Sequence, residues 1–167
     1  MKVLNVEQGS AEWLALRPAY CVASEAPVIM GDGRHTSRGE LIRAKRTGDE
    51  REFSKWEREN LLDKGHRAEE MARGAIEALL GEAMPPLVGA SDCGRFLASF
   101  DGLSDDRSTV FEAKLWNAEL ARAIRAQELP PAYYWQLEHQ IMVAGADHAI
   151  FCCCTDDGSE FEWMNYE

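Results

Sequence analysis

Two short stretches hold the residues best suited to chemistry: Ser99-Phe100-Asp101-Gly102-Leu103 and, eight residues on, Phe111-Glu112-Ala113-Lys114. Residues 109–115 are rich in β-branched and aromatic types and read as a short strand. Side chains alternate along a strand, so Glu112 and Lys114 share a face and lie about 7 Å apart. An acid and an amine on one strand face, with an aspartate arriving from the strand before, suit a two-carboxylate metal site. Hard oxygen ligands of this kind fit Mg²⁺, and the amine would stand beside the metal-bound water as a proton handler or a charge.

A bare Glu-x-Lys has a plainer reading, a surface ion pair on an edge strand. Two features favour the chemical one. Of five lysines, only Lys114 has an acid two residues before it. Phe111, Leu115 and Trp116 around it indicate a partly buried strand, where an unpaired charge is costly.

The 167 residues suffice for one domain with a sizeable core, spanning 1–167. Hydrophobic residues make up 46% and charged residues 28%, ordinary values for a soluble globular protein. No apolar run reaches membrane length and no signal-peptide pattern is visible, so a cytoplasmic protein with no membrane partner is expected. Cys152-Cys153-Cys154 cannot form a compact zinc site, because strand neighbours point to opposite faces; small buried residues of a reduced protein are expected instead. The net charge of −11 argues at first against nucleic acid. Residues 34–73, however, hold 11 of the 18 Lys and Arg against 9 acids, whereas the chain from Asp147 onward has six acids and no Lys or Arg. Charge alone therefore neither supports nor excludes a nucleic-acid substrate.

The elements that must position these residues follow in order. Ser10 caps a helix carrying Trp13, Leu14 and Leu16, which ends at Arg17-Pro18. Ser24 reads as the cap of a second short helix whose free N–H groups could hold an anion, with Arg17 folding back beside it; the plainer alternative is a simple cap and a solvated helix end. Ser37-x-x-Glu40 is a capping box opening a helix closed by Thr47-Gly48, and residues 49–55 read as an exposed connection. A long helix is expected over residues 56–80 and capped by Gly81. Its Glu69 could reach inward to a metal or form an i,i+4 ion pair with Arg73. A strand pair over 85–90 and 95–100 ends at Asp101-Gly102. After the Lys114 strand, Asn117 caps a helix, Leu129-Pro130-Pro131 breaks it, and a helix over 133–144 turns Tyr133, Leu137, Ile141 and Met142 to the core. Gln136 and Gln140 fall one turn apart on it, and His139 reads as a partly exposed polar residue. Strands over 149–154 and 160–166 complete an α/β domain with a mixed sheet flanked by helices.

Several separated pieces together resemble one family. They are Gln8-Gly9-Ser10-x-x-Trp13-x-x-x-Arg17, Ala23-Ser24, Gly65-x-x-x-Glu69-x-x-Ala72, Ser99-x-Asp101-Gly102, Glu112-x-Lys114 and Tyr134-x-Gln136-x-x-x-Gln140-x-x-Val143. In this order they resemble the YqaJ and lambda exonuclease group of phage-type recombination nucleases, within the PD-(D/E)xK superfamily. The resemblance implies a restriction-endonuclease-like core with a central mixed β-sheet. It also implies a Mg²⁺-dependent 5′-to-3′ exonuclease that digests one strand of linear double-stranded DNA and leaves a 3′ single-stranded tail. Mn²⁺ could substitute, with two ions per site.

The roles implied are residue by residue. Asp101 and Glu112 match the metal-binding acids, Glu69 a helix acid beside the metals, and the Ala113 backbone carbonyl a further metal ligand. Lys114 matches the catalytic lysine and Gln136 a glutamine near the reacting site. Arg17, Ser24 and Ser99 match a pocket for the 5′-terminal phosphate. The partners implied are double-stranded DNA ends, two further copies in a toroidal homotrimer, and a single-strand annealing protein, in a bacterial or phage-infected cell. Phe100 departs from the proline usual before the aspartate. The second phosphate arginine has no clear counterpart, Arg122 and Arg125 being nearby but displaced, and the C-terminal helix common in such enzymes is expected to be missing. A related DNA endonuclease and a non-catalytic DNA-binding or scaffold protein are the alternative readings.

Overall fold

The computed structural model describes residues 1–33, 35–48 and 62–167. The expected connection over 49–55 and helix start over 56–61 lie outside the described residues. Two four-stranded mixed sheets carry the fold. The first has the order β1 (Lys2–Leu4), β3 (Leu87–Ala90), β4 (Phe96–Phe100) and β2 (Cys21–Val22), with only β2 parallel to its neighbour. The second has the order β5 (Gly102–Leu103), β6 (Thr109–Leu115), β7 (His148–Cys154) and β8 (Phe161–Tyr166), with β6 and β7 parallel and the other pairs antiparallel.

The chain does not end a strand at Asp101-Gly102. It crosses there from one sheet to the other, with Asp101 alone between β4 and β5. Gly102 permits the crossing: a Cβ would sit 2.8 Å from the Met84 carbonyl oxygen and 3.2 Å from the Phe111 Cβ. Asp101 is thereby fixed at the seam, 7% exposed, next to the middle of β6.

Helices cover both faces of the second sheet. On one side α4 (Asp63–Leu80) lays Ala68, Ala72 and Ile76 against Phe111, Ala113, Ile150, Cys152 and Cys154. On the other, α5 (Ala118–Arg125) and α6 (Pro131–Ala144) supply Leu120, Ile124 and Leu137 against Val110, Phe151 and Cys153. The three cysteines thus alternate between two cores, buried and unpaired by disulfides. The parallel register Glu112↔Phe151 and Lys114↔Cys153 puts the acid and the lysine on the α6 side, with Phe111 and Ala113 on the α4 side.

The remaining helices are α1 (Ala11–Leu16), α2 (Ala26–Met30) and α3 (Arg38–Thr47). Ser10 caps α1 by accepting from the Trp13 amide at 3.1 Å, and Ser37 and Glu40 close the capping box of α3. Three local readings change. Ser24 is not a helix cap but lies within the 3-10 turn Ala23–Glu25; the Glu25 carboxylate accepts the Val22 amide at 3.4 Å, which leaves the Ser24 hydroxyl for other work. His139 is buried, its Nε2–H donating to the Leu97 carbonyl at 3.1 Å, and burial pulls its pKa below the ordinary histidine value. Met142 is 53% exposed, because the buried stripe of α6 runs through Leu137, Gln140, Val143 and Ala144, and residue 142 falls off it.

Candidate active site

Glu112 is held from three sides. It is 3% exposed on β6, and both its oxygens are occupied. Oε1 accepts from Lys114 Nζ and, at 2.6 Å, from Gln136 Nε2. Oε2 accepts from Gln140 Nε2 at 2.6 Å. Gln136 and Gln140 come from successive turns of α6, so one helix face aims two amides at one carboxylate. Gln140 Nε2 also donates to the Ser99 carbonyl at 3.0 Å. Both its N–H groups therefore go to acceptors, and its Oε1 stays buried without a partner. An unpaired buried carbonyl is uncommon in a folded protein, and here it accompanies an amide whose two hydrogens both serve the site.

Asp101 accepts the Ala113 amide on Oδ2 at 2.9 Å. In a strand the N–H and C=O of one residue point to the same side, so the Ala113 carbonyl faces the same edge of β6 as Asp101. That edge is open because β5 pairs only as far as Phe111. Burial, then repulsion from Glu112 and Glu69, pushes the Asp101 carboxyl well above the ordinary range, with Lys114 and the Ala113 amide opposing. Burial pulls the Lys114 ammonium down, but Glu112 and Asp101 outweigh it and hold its pKa above the ordinary lysine value. In this arrangement Lys114 is a cation, 5.8 Å from the Tyr133 ring centroid.

Glu69 comes from α4, on the opposite face of β6 from Glu112. Its Oε1 accepts from Arg73 at 3.0 Å, and the same Arg73 nitrogen donates to the Asp101 carbonyl at 2.8 Å. Burial raises the Glu69 pKa, partly offset by Arg73 and His66. Glu69 therefore makes the helix ion pair and lines the same cavity as Asp101 and Glu112. Among the described residues, no three of His, Cys, Asp and Glu stand close enough together to hold a metal ion. The reason is the strand between them: the acids meet only across its open edge.

The second group of residues lies at the other end of the same cavity, which has a volume of about 450 Å³. Arg17, Ser24 and Ser99 line it together with Asp101, Glu112, Lys114 and Gln136. Arg17 lies over the Trp13 ring, its Cζ 4.6 Å from the ring centroid, and makes two long contacts, to Ser24 Oγ at 3.4 Å and to Glu25 Oε1 at 3.5 Å. Trp13 Nε1–H donates to Ser99 Oγ at 2.7 Å. Both serine hydroxyls accept from protein donors, which leaves their own O–H hydrogens to donate to an anion. Neither Arg122 nor Arg125 lines the cavity; Arg125 is paired with Glu162 at 2.6 Å.

The donor set fits a hard divalent cation. It consists of two buried carboxylates whose mutual repulsion a cation would relieve, and a strand carbonyl on the same edge, all oxygen. Glu112 Oε1 is the oxygen shared with the cavity-lining Lys114 and Gln136, whereas Oε2 is tied to Gln140 behind it.

Residues 12–147 match the YqaJ-like viral recombinase domain, and the chain belongs to that family. Its fold is that of the alkaline exonucleases. Over 95% of this chain and 82% of the other, it superposes on an alkaline exonuclease, LHK-Exo from Laribacter hongkongensis, with a TM-score of 0.72 and 25% identity. The structure of LHK-Exo in complex with dAMP aligns with a TM-score of 0.75 and 23% identity, over the same shares of the two chains. A phage-related exonuclease from Haemophilus somnus 129PT matches in fold with a TM-score of 0.59 and 14% identity, over 84% of this chain and 70% of the other. No curated protein matches the chain significantly.

Each residue given a catalytic, metal or phosphate role from the sequence, Ala113 included, lines this cavity. Sequence reasoning gave no role to Gln140 or to the Trp13 indole. The signal for Gln140 was present: a second glutamine one turn from Gln136, on a helix face otherwise made of core residues. The indole's contact with Ser99 spans 86 positions and has no local signature.

Proposed function

We propose that this protein is a Mg²⁺-dependent 5′-to-3′ exonuclease that digests one strand of linear duplex DNA and leaves a 3′ single-stranded tail. The observation that carries the reading is the single cavity with two unlike ends. One end has buried carboxylates and an ammonium; the other has an arginine and two hydroxyl donors suited to a terminal phosphate dianion. An enzyme that counts one nucleotide from a 5′ end needs both within reach of each other.

Asp101, Glu112 and the Ala113 carbonyl would hold the metal, with Glu69 beside them. When bound, the metal supplies a water of lowered pKa and neutralises charge on the scissile phosphate. The chain's own groups do the rest. Gln140 keeps Glu112 Oε2 fixed while Oε1 faces the cavity. Lys114, a cation in the resting site, holds and orients the attacking water by donating to it. Gln136 supplies a second donor at the same point. Arg17, Ser24 and Ser99 bind the terminal phosphate and set the register of the strand, while Trp13 aligns Arg17 and Ser99. A homotrimer is the assembly in which a chain of charge −11 could gather its basic stretches around DNA, and a strand-annealing protein would take the tail.

Digestion in Mg²⁺ of 5′-phosphorylated linear duplex beside a covalently closed circle tests the proposal. Loss of the linear species alone, with 3′-tailed intermediates, is expected. Cutting of the circle would make the protein an endonuclease, and no metal-dependent cleavage of either would leave a binding protein.

A further inference from the structure

Arg17 has two neighbours in charge that the phosphate reading leaves without a role. Glu25 approaches the Arg17 guanidinium with one oxygen, Oε1, at 3.5 Å. Its other oxygen, Oε2, accepts from Lys45 Nζ at 2.8 Å. Lys45 reaches in from α3 and also donates to the carbonyls of Arg17 at 2.9 Å and Tyr20 at 2.7 Å. All three ammonium donors are thus satisfied, and the three charged side chains are largely buried, 21%, 14% and 23% exposed for Arg17, Glu25 and Lys45.

We propose that Glu25 and Lys45 form a charge relay that sets how strongly Arg17 binds the 5′-terminal phosphate, so that Lys45, which is outside the cavity, is a specificity-determining positioning residue; the proposal rests on the phosphate-pocket reading above. The argument is one of competition. A carboxylate beside Arg17 is a rival for the incoming phosphate. A free Glu25 would pair with Arg17 in the bidentate geometry that guanidinium favours. Lys45 prevents this by holding Glu25 at the shorter distance, and Arg17 is left with two long contacts and a stacking partner. The local charge of the three groups is then +1. Removing Lys45 makes it zero and leaves Glu25 with only the long bond from the Val22 amide, 3.4 Å, to hold it off Arg17. Neutralising Glu25 makes it +2 and leaves Arg17 without a rival. Doing both restores +1.

The experiment measures kcat/KM on duplexes with 5′-phosphate and with 5′-hydroxyl ends, in Mg²⁺, for the wild type, Lys45→Met, Glu25→Gln and the double variant. The melting temperature of each shows that it is folded. The ratio of phosphate to hydroxyl ends should fall about fivefold in Lys45→Met and rise about fivefold in Glu25→Gln, the upper range for a charge pair at a partly exposed site. The double variant should return to the wild-type ratio within about twofold. The changes should lie in KM for phosphorylated ends and shrink as salt is added. A purely structural clasp predicts something else: both single variants weaken the preference, and the double variant, which also lacks the bonds to the Arg17 and Tyr20 carbonyls, is worst. That outcome, or variants that all keep the wild-type ratio, would overturn the relay while leaving the pocket in place. Equal rates on both ends in the wild type would remove the pocket itself and the relay with it.

Discussion

The two ends of the cavity are built in opposite ways. At the acid end the carboxylates are tightly held. Glu112 takes three side-chain hydrogen bonds, Asp101 takes a backbone amide, and Gln140 gives both its hydrogens away and leaves an oxygen buried without a partner. Glu112 and Gln140 stand on a regular strand and a long helix, with Asp101 fixed at the seam between the sheets. At the arginine end the contacts of Arg17 are long, Arg17 and Ser24 sit on 3-10 turns, and the hydroxyls of Ser24 and Ser99 keep a hydrogen to offer. Chemistry on a phosphodiester needs reacting groups held to a fraction of an ångström, so the first end accepts desolvation for rigidity. Capture of a chain end needs donors that can close on an arriving ligand, so the second stays loosely partnered.

Substitutions at the two ends should separate accordingly. The largest effect belongs to Lys114→Ala. Loss of the ammonium that orients the attacking water should lower cleavage about 10²–10⁴-fold, with end binding measured by fluorescence anisotropy in Ca²⁺ retained. Near-normal turnover would put Lys114 among ordinary ion-paired residues.

Asp101→Asn tests the desolvated carboxylate by thermal melting. Its carboxyl is raised in the fold, so the stability it contributes is fully present below the unfolded pKa and is lost as the pH rises through the folded one. The metal-free variant should therefore match the wild type in acid and become the more stable of the two toward neutral pH. In the wild type, Mg²⁺ at about 100 times Kd should add about 2.7 kcal/mol, and this gain should vanish in the variant. A full Mg²⁺ shift in Asp101→Asn would remove Asp101 from the ligand set.

Gln140→Met keeps the volume, removes the buried unpaired oxygen and frees Glu112 Oε2. If Gln140 exists to orient Glu112, Mg²⁺ affinity read by calorimetry should weaken about 10–100-fold. An unchanged affinity would make it a packing residue.

Arg17→Ala should show the smallest change in chemistry and the clearest change in selectivity. The preference for 5′-phosphorylated over 5′-hydroxyl ends should fall by about tenfold or more, as expected for a charge-assisted hydrogen bond of about 1.5–3 kcal/mol. Single-turnover rates on the two kinds of end are the readout; a preference that survives would move the phosphate contact elsewhere.

The sequence by itself determined whatever rests on short-range physics. The β6 boundaries, the Ser10, Ser37 and Asn117 caps, the Gly81 stop and the opposite facing of successive cysteines all follow from local sterics, hydrogen bonding and the period of two. Glu112 and Lys114 share a face for the same reason, and their ion pair could be read from two letters and a spacing. The tertiary structure decided what depends on contacts between distant segments. The role of Asp101 as the crossing between two sheets required Met84 and Phe111 to close around Gly102. Glu69 and Glu112 were foreseen as neighbours, but only packing on opposite faces of β6 decided that they meet across an edge and that Arg73 bridges Glu69 to the Asp101 carbonyl. Gln140, the Trp13 indole and Lys45 act on partners 28, 86 and 20 to 28 positions away, and their value lies in buried hydrogen bonds. Burial is a property of the assembled chain, and the cost of leaving a polar group unpaired exists only once water has been excluded.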